Sequence, residues 1–241
     1  MKIRSILFAT LGVAVMASCG GKVSDVTKIS GTVVPEGISE VNIVVGELVD
    51  TLVPVVDGKF YIELPADITT IATISAADYG TSFIPDGTPL TVVLDEETKI
   101  TSAYPEISVN EKLVAFNETS EAYVEKYRST QQEIRDAEDK TEQEKEQALN
   151  EFYESFFAEY KEYNVKTYTE NTDNFVALYA LQGLMGEFED PELDSLLNLL
   201  VPALQEHKFV QGMQKAIKAR INTAEGKPFI DFTVNSVVGM T

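Results

Sequence analysis

The amino-acid sequence predicts an α+β protein, with an N-terminal antiparallel β-sandwich-like unit followed by an all-helical unit. Residues 27–108 are rich in Val, Ile and Thr, with Gly and Pro between short apolar runs, which is typical of β structure. Residues 109–222 contain few Gly and Pro and many Glu, Gln, Lys, Ala and Leu, which favours helices. We therefore place the boundary between the two units near residue 108.

The first residues, 1–18, have the organisation of a secretory signal peptide. A lysine and an arginine supply a positive start, and about 11 mostly apolar residues follow. This run is shorter than the ~20 residues that a transmembrane helix needs. Met16-Ala17-Ser18-Cys19 resembles the lipobox of bacterial lipoproteins. The resemblance implies cleavage before Cys19 and lipid attachment to its thiol, so residues 19–26 are expected to form a lipidated linker.

A lipid on Cys19 predicts a protein of the cell envelope that is anchored to a membrane and faces the periplasm. Cys19 is also the only cysteine in the sequence. A redox-active dithiol needs two sulfur atoms, and a cysteine-rich zinc site needs several. We therefore expect that this chain by itself does not catalyse thiol–disulfide exchange. We also expect no metal site and no cofactor.

The charge of the chain restricts its partners. It has 39 acidic and 19 basic residues, a formal net charge of −20. Such a chain repels phosphate backbones, so binding to nucleic acid is not expected. We interpret the acidity as a solubility feature beside an anionic surface. The partners we expect are the membrane, an envelope protein or a small-molecule ligand.

In the β unit, short apolar segments alternate with turn residues. Ile29–Val33 is expected to open the unit as a strand, and residues 41–45 carry Val, Ile and Val at alternate positions. Residues 86–89, Asp-Gly-Thr-Pro, form a turn signal before a further strand at residues 90–94. Short strands between such turns favour an antiparallel sandwich.

Asp57-Gly58 is the strongest hairpin signal in this unit. A type I′ turn needs positive φ at its centre, and glycine supplies it without steric cost. The turn predicts a hairpin between residues 53–56 and residues 59–64. The apolar residues of the second segment, Phe60, Ile62 and Leu64, should then share one face.

The helical unit is expected to open with a helical hairpin. A first helix is predicted from about Asn110 to Ala137, and residues 138–147 contain no residue that needs burial. Residues 141–144, Thr-Glu-Gln-Glu, match a capping box and predict the start of a second helix. Apolar and aromatic residues at helical spacing predict the facing stripes, formed by Leu113, Phe116, Tyr123, Tyr127 and Ile134 in the first helix and Phe152, Phe156, Tyr160 and Tyr163 in the second.

Shorter helices should follow the hairpin. Residues 175–181 form an apolar segment led by an asparagine. Asp190 is predicted as the N-cap of a helix whose first position is Pro191. Pro202 is expected to end or kink that helix. A last helix is predicted near residues 208–221, with Val and Ile at helical spacing.

Residues 27–116 resemble a domain of unknown function found in lipid-anchored proteins of Gram-negative gut bacteria, where it precedes a thioredoxin-like domain. Four segments carry the resemblance: residues 29–33, residues 57–60, Phe83-Ile84-Pro85-Asp86-Gly87, and Val109-Asn110-Glu111 leading to Phe116. Residues 225–234 are similar to the lead-in strand of thioredoxin-like thiol–disulfide oxidoreductases. The resemblance implies the order lipobox, β domain, helical spacer and redox domain.

Residues 223–241 are too few for a thioredoxin-like domain and are expected to be only its lead-in. The resemblance therefore implies a membrane-anchored lipoprotein that acts as the non-catalytic anchor, spacer and binding module of an oxidoreductase-type protein. A truncated gene, a fragment and a natural stand-alone form remain open. The alternative is a stand-alone lipoprotein that binds a ligand or glycan, because sandwich loops often carry binding sites.

Other candidate sites have simpler interpretations. His207 is the only histidine and is expected at the surface or at a helix end. Acidic residues at 138–139 and 142–146 lack the spacing and central glycine of a calcium loop, which favours a solvated helix face. The aromatic stripe of residues 152–163 could bind an apolar ligand, but its spacing is more typical of a helix core.

Overall fold

The computed structural model describes residues 23–46 and 49–223. The predicted signal peptide, Cys19, residues 19–22 of the predicted linker and residues 224–241 of the predicted lead-in lie outside this part. The described residues form eight strands, followed by six helices. The strands are β1 (Val26–Val33), β2 (Glu40–Val45), β3 (Val49–Pro54), β4 (Lys59–Pro65), β5 (Ala72–Ala76), β6 (Tyr79–Phe83), β7 (Leu90–Leu94) and β8 (Lys99–Ser102). The helices are α1 (Val109–Asp136), α2 (Glu142–Thr169), α3 (Val176–Leu184), α4 (Asp190–Leu197), α5 (Pro202–Gln205) and α6 (Lys208–Thr223).

The strands form two four-stranded sheets, in the orders β4-β1-β7-β8 and β3-β2-β5-β6. The predicted α+β fold class is therefore confirmed. Pairing among the described strands is antiparallel except between β1 and β7, which run parallel. The buried apolar residues of both sheets belong to one core. Along β1, for example, buried residues alternate with exposed ones, so one face of the strand points into this core.

The pairing of β1 with β4 shows how closely side chains pack within one sheet. Gly31 lies opposite Phe60 in this ladder. A Cβ atom at Gly31 would lie 2.1 Å from Cζ of the Phe60 ring. The glycine therefore makes room for the ring, and Phe60 fills the core above the strand.

The turn at Asp57-Gly58 was predicted correctly, but the hairpin around it was wrong. Both residues have positive φ, 51° and 72°, as a type I′ turn requires. Only Val56 and Lys59 pair across the turn. β3 pairs with β2 in one sheet, whereas β4 pairs with β1 in the other. The turn therefore leads the chain from one sheet to the other. In this arrangement the apolar faces of β3 and β4 both contact the core between the sheets.

The helical hairpin agrees with the prediction. Ser108 caps α1, and its side chain accepts a hydrogen bond from the backbone of Asn110. Thr141 and Glu144 form the predicted capping box at the start of α2. The two 28-residue helices run antiparallel and would each be about 42 Å long at 1.5 Å per residue.

Two predictions about the shorter helices were wrong. The N-cap of α4 is Glu189, so Asp190 occupies the first helical position. Pro202 lies in the first turn of α5 and does not end α4, which already stops at Leu197. A proline at the first turn fits because its missing N–H has no helical acceptor there. α3 is the most buried of these helices and lies at the centre of the helical core.

Candidate functional site

Cys19 and His207 each occur once in the sequence and were singled out there. Cys19, the predicted lipid attachment residue, lies outside the described residues. His207 immediately precedes α6, and its Nδ1 accepts a hydrogen bond from the backbone N–H of Phe209 at 3.3 Å. Its ring packs edge-on against Phe175, with 5.6 Å between the ring centroids. His207 thus occupies a helix end, as the sequence predicted.

The acidic segments belong to the surface of the helical hairpin. Hydrogen bonds from the backbone and hydroxyl of Thr141 lower the pKa of Glu144, so this carboxylate is used in the cap of α2. Within residues 23–46 and 49–223, no group of three or more His, Cys, Asp or Glu residues is arranged to hold a metal ion. Across the same residues, every helix is too short or too polar to span a bilayer.

Several of the buried polar residues meet at a junction between the β unit and α1, built around Asp86. This side chain is only 3% exposed. One carboxylate oxygen accepts hydrogen bonds from the backbone N–H and the hydroxyl of Thr88, at 3.0 and 2.6 Å. The other oxygen accepts from Ser108 Oγ (2.5 Å), the Val109 N–H (2.8 Å) and Asn110 Nδ2 (3.1 Å). All five donors therefore converge on one carboxylate.

The position of Asp86 explains why a carboxylate is tolerated there. The first N–H groups of α1 have no acceptor within the helix, and the helix dipole favours a negative group at this end. Asp86 reaches these groups from the loop between β6 and β7. The loop thus caps α1 from outside, in addition to the local cap made by Ser108.

Asn110 completes the junction, because its side chain forms hydrogen bonds with the backbone of the same loop. Its Oδ1 accepts from the N–H of Ile84 at 2.7 Å, and its Nδ2 donates to the carbonyl of Ile84 at 2.8 Å. Gly87 is held from the other side, because its N–H donates to Thr27 Oγ1 at 2.8 Å. Strand β1, the β6–β7 loop and helix α1 are therefore tied together by buried polar groups.

Apolar contacts reinforce the polar junction. Ile84 belongs to the core cluster of the helical unit, and Ile68 and Ile71 pack against it. The backbone N–H of Phe175, just before α3, donates to the carbonyl of Ile68 at 2.8 Å. The two units therefore share part of one core, and a boundary near residue 108 separates them in sequence more sharply than in space.

The junction unites two segments that the sequence had marked separately. Residues 83–87 and Val109-Asn110-Glu111 were noted for their resemblance to the same family. In the structure, Asp86 of the first segment bonds to Val109 and Asn110 of the second. Sequence reasoning did not pair them. An Asp beside a predicted turn, and an Asn at a predicted helix start, were the available signals.

A second candidate region is the helical hairpin of α1 and α2. Aromatic rings line its interior from the base to the level of Tyr127 and Phe152. Near the base, Phe116 stacks on Tyr163, with 6.0 Å between the ring centroids. Further along, Tyr127 stacks on Tyr153 at 5.8 Å and contacts Phe157 at 6.3 Å. The stripe predicted from the sequence is therefore mainly a core between two helices.

The two flanks of this hairpin differ in chemistry. On one flank, Lys126 forms an ion pair with Glu159 at 2.6 Å. Burial, together with the Glu159 carboxylate, raises the pKa of Tyr123 on this side. On the other flank, Val124 and Phe157 are 48% and 46% exposed. One flank is thus closed by a polar bridge, whereas the other leaves apolar side chains in contact with solvent.

Near the base of the hairpin, α3 covers the apolar flank. Gly183 of α3 approaches α2 so closely that a Cβ atom would lie 2.6 Å from Oδ1 of Asn164. Beyond α3, Lys161 donates to the carbonyl of Glu187 at 2.7 Å and lies over the ring of Phe188. These contacts end before the level of Val124 and Phe157, so the distal part of the flank stays uncovered.

Comparisons with protein-family models, with curated proteins and with solved structures found no match to this chain.

Proposed function

We propose that this chain is a membrane-anchored lipoprotein of the cell envelope that faces the periplasm. In this proposal its two units form a non-catalytic spacer and binding module of a thiol–disulfide oxidoreductase-type protein. The sequence features that support the proposal are the lipobox ending at Cys19, the resemblance of residues 27–116 and the lead-in at residues 225–234. The single cysteine agrees with a chain that does not itself exchange disulfides.

The observation that carries the spacer role is the buried junction at Asp86. A spacer must hold its two ends at a fixed separation, which a flexible linker does not do. Here the chain passes from β8 to α1 in a short segment, residues 103–108, that is itself hydrogen-bonded. The N–H of Ala103 donates to the carbonyl of Pro89, and that of Ser108 to the carbonyl of Tyr104. The β unit and the helices should therefore move as one body.

Lipid attachment is tested by metabolic labelling with an alkyne-bearing fatty acid in cells that make the chain. We expect label on the wild-type protein and none on Cys19→Ser, with the wild type in the membrane fraction. A serine cannot form the thioether bond, while the rest of the chain is unchanged. Unlabelled wild-type protein, or labelled Cys19→Ser, contradicts the anchor.

The non-catalytic role is tested by insulin reduction in the presence of dithiothreitol. We expect the purified chain to reduce insulin no faster than buffer, because an exchange cycle needs two sulfur atoms. Measurable acceleration contradicts this part of the proposal.

The relation to an oxidoreductase is tested by the mass of the endogenous protein in the source organism. A mass greater by roughly a 100-residue domain supports it, and a mass that matches processing of the present chain contradicts it.

The spacer role is tested by limited proteolysis of the folded protein. We expect residues 103–108 to resist cleavage until the whole protein unfolds, since the junction must break before this segment can fit a protease site. Cleavage there under native conditions, with both units left intact, contradicts a rigid connection.

A further inference from the structure

We propose that the uncovered flank of the α1–α2 hairpin binds a second copy of this chain. In the proposed dimer the two hairpins lie face to face and parallel about a twofold axis, so that α1 of each copy packs on α2 of the other.

The apolar centre of the surface consists of Val124 on α1 and Phe157 on α2, next to the stacked rings of Tyr127 and Tyr153. Val124 and Phe157 are each nearly half exposed, although both lie in a hairpin whose inner positions are aromatic. A shallow hollow of about 440 Å³ lies beside Val124 on the same face of α1. The hollow is also lined by Ser120, Glu121, Glu125 and Arg128, so its only apolar side is the one formed by Val124.

Continuity with a covered surface supports a helical partner. At the base of the hairpin the same flank is occupied by α3, whose Gly183 comes within close range of Asn164. The distal flank presents the same two helices without such a cover. A pair of helices from a second copy would extend the packing that α3 begins.

The charges on the two helices determine which partner fits. On α1, helical spacing places Arg128 and Arg135 on the side of Val124, at positions four and eleven residues later. On α2, the same spacing places Glu154 and Glu146 on the side of Phe157, at positions three and eleven residues earlier. All four charged side chains are exposed, and none forms an ion pair among the described residues.

Contacts within one hairpin show which of these residues lie at the same height. Tyr127 stacks on Tyr153, which brings Arg128 level with Glu154. Lys145 Nζ donates to the carbonyl of Arg135 at 2.9 Å, which brings Arg135 level with Glu146.

In the parallel dimer, α1 of one copy faces α2 of the other at equal heights. Arg128 then faces Glu154, Arg135 faces Glu146 and Val124 faces Phe157, each pair occurring twice by symmetry. These two charge pairs and the apolar pair are therefore complementary across the twofold axis. In an antiparallel dimer α1 would face α1, and this matching would be lost.

The size of the surface predicts a weak, reversible dimer. About 16 residues of each helix, at 1.5 Å per residue, and two helices about 10 Å wide give roughly 500 Å² per copy. The total of about 1,000 Å² lies at the low end for specific complexes. The parallel orientation also suits two chains held by the proposed lipid anchor in one membrane, where confinement raises the effective concentration.

Sedimentation equilibrium of the processed full chain, in a nonionic detergent matched to the solvent density, tests the proposal. We expect the wild type to dimerise with a dissociation constant in the micromolar range. The α1 variant R128E/R135E and the α2 variant E146R/E154R each place like charges opposite one another, so each should dimerise at least about tenfold more weakly. An equimolar mixture of the two variants restores opposite charges at every site and should form heterodimers.

The control variant E118R/E133R makes the same change in charge as the α2 variant, but on the outer surface of α1. It should dimerise like the wild type. Circular dichroism melts check that all variants keep their helices. Failure of the wild type to dimerise up to about 100 μM, well above the expected micromolar range, overturns the proposal. Failure of the mixture to form heterodimers, while each variant stays folded, also overturns it.

Discussion

Replacement of Asp86 is the sharpest test of the junction between the β unit and the helices. Asp86→Ala removes the acceptor of five hydrogen bonds in one step, and Asp86→Asn removes only part of it. An amide in place of the carboxylate keeps one oxygen. If that oxygen faces α1, the amide nitrogen faces Thr88, whose hydroxyl can rotate to accept while its N–H loses a partner.

The expected magnitudes follow from the donors left behind. A buried donor without a partner costs about 1–3 kcal/mol, and contributions within one cluster are not additive. Asp86→Ala leaves the N–H groups of Thr88 and Val109 without an acceptor, and three side-chain donors must find new partners. We therefore expect the unfolding free energy to fall by about 4 kcal/mol. For Asp86→Asn, about one N–H donor loses its partner, and we expect about 2 kcal/mol.

The assay is urea unfolding followed by far-ultraviolet circular dichroism, with free energies from linear extrapolation. Asp67→Ala is the matched control. Asp67 accepts similar hydrogen bonds from Thr69 and Thr70, at 2.6 to 2.9 Å, but its side chain is exposed. Water can replace these bonds, so we expect a loss below about 1 kcal/mol. If Asp86→Ala lowers the unfolding free energy no more than Asp67→Ala does, the carboxylate of Asp86 does not hold the junction together. Should Asp86→Ala fail to fold, the comparison uses the Asn variants of both positions.

Three further predictions concern packing, a turn and pH. Gly183→Ala should destabilise the protein by about 1–3 kcal/mol, because the new methyl group meets the side chain of Asn164. In an Asn164→Ala background the same change should be neutral or stabilising. Urea unfolding of the wild type, the two single variants and the double variant measures this difference. Ala77 has φ of 50°, so Ala77→Gly should raise the unfolding free energy by about 1 kcal/mol, and a lower melting temperature would contradict this. Hydrogen bonds from Arg220 lower the pKa of Asp190 in the folded protein. The pair therefore stabilises the protein above the ordinary pKa of 3.8, and this stabilisation is lost as the pH falls through the lower pKa of the folded state. The difference in melting temperature between the wild type and Asp190→Asn should accordingly shrink from pH 7 to pH 3.

Much of the helical unit could be predicted from the sequence because its signals are local. The capping box at residues 141–144 uses groups within one turn of helix. Aromatic residues at helical spacing identified the inner face of α2 for the same reason. Periodicity and caps depend on residues close in the chain, so no knowledge of the partner helix was needed.

Prediction was weaker where a local signal had a distant consequence. The turn at Asp57-Gly58 was recognised from its backbone requirement, but its flanking strands pair with β2 and β1 in separate sheets. The turn between β5 and β6 uses Ala77 at positive φ, a residue that sequence rules do not associate with this conformation. Strand partners depend on how two apolar faces reach one core, which no short segment specifies.

The sequence by itself determined the α+β class and the helical hairpin with its aromatic interior. The tertiary structure alone decided that Asp86 caps α1 from a loop of the β unit. It also decided that one flank of the hairpin is closed by Lys126 and Glu159 while the other leaves Val124 and Phe157 exposed. The reason is physical: composition and periodicity record what each segment must bury or hydrogen-bond. Only the folded chain fixes which distant groups meet that need, and which surfaces remain for a partner.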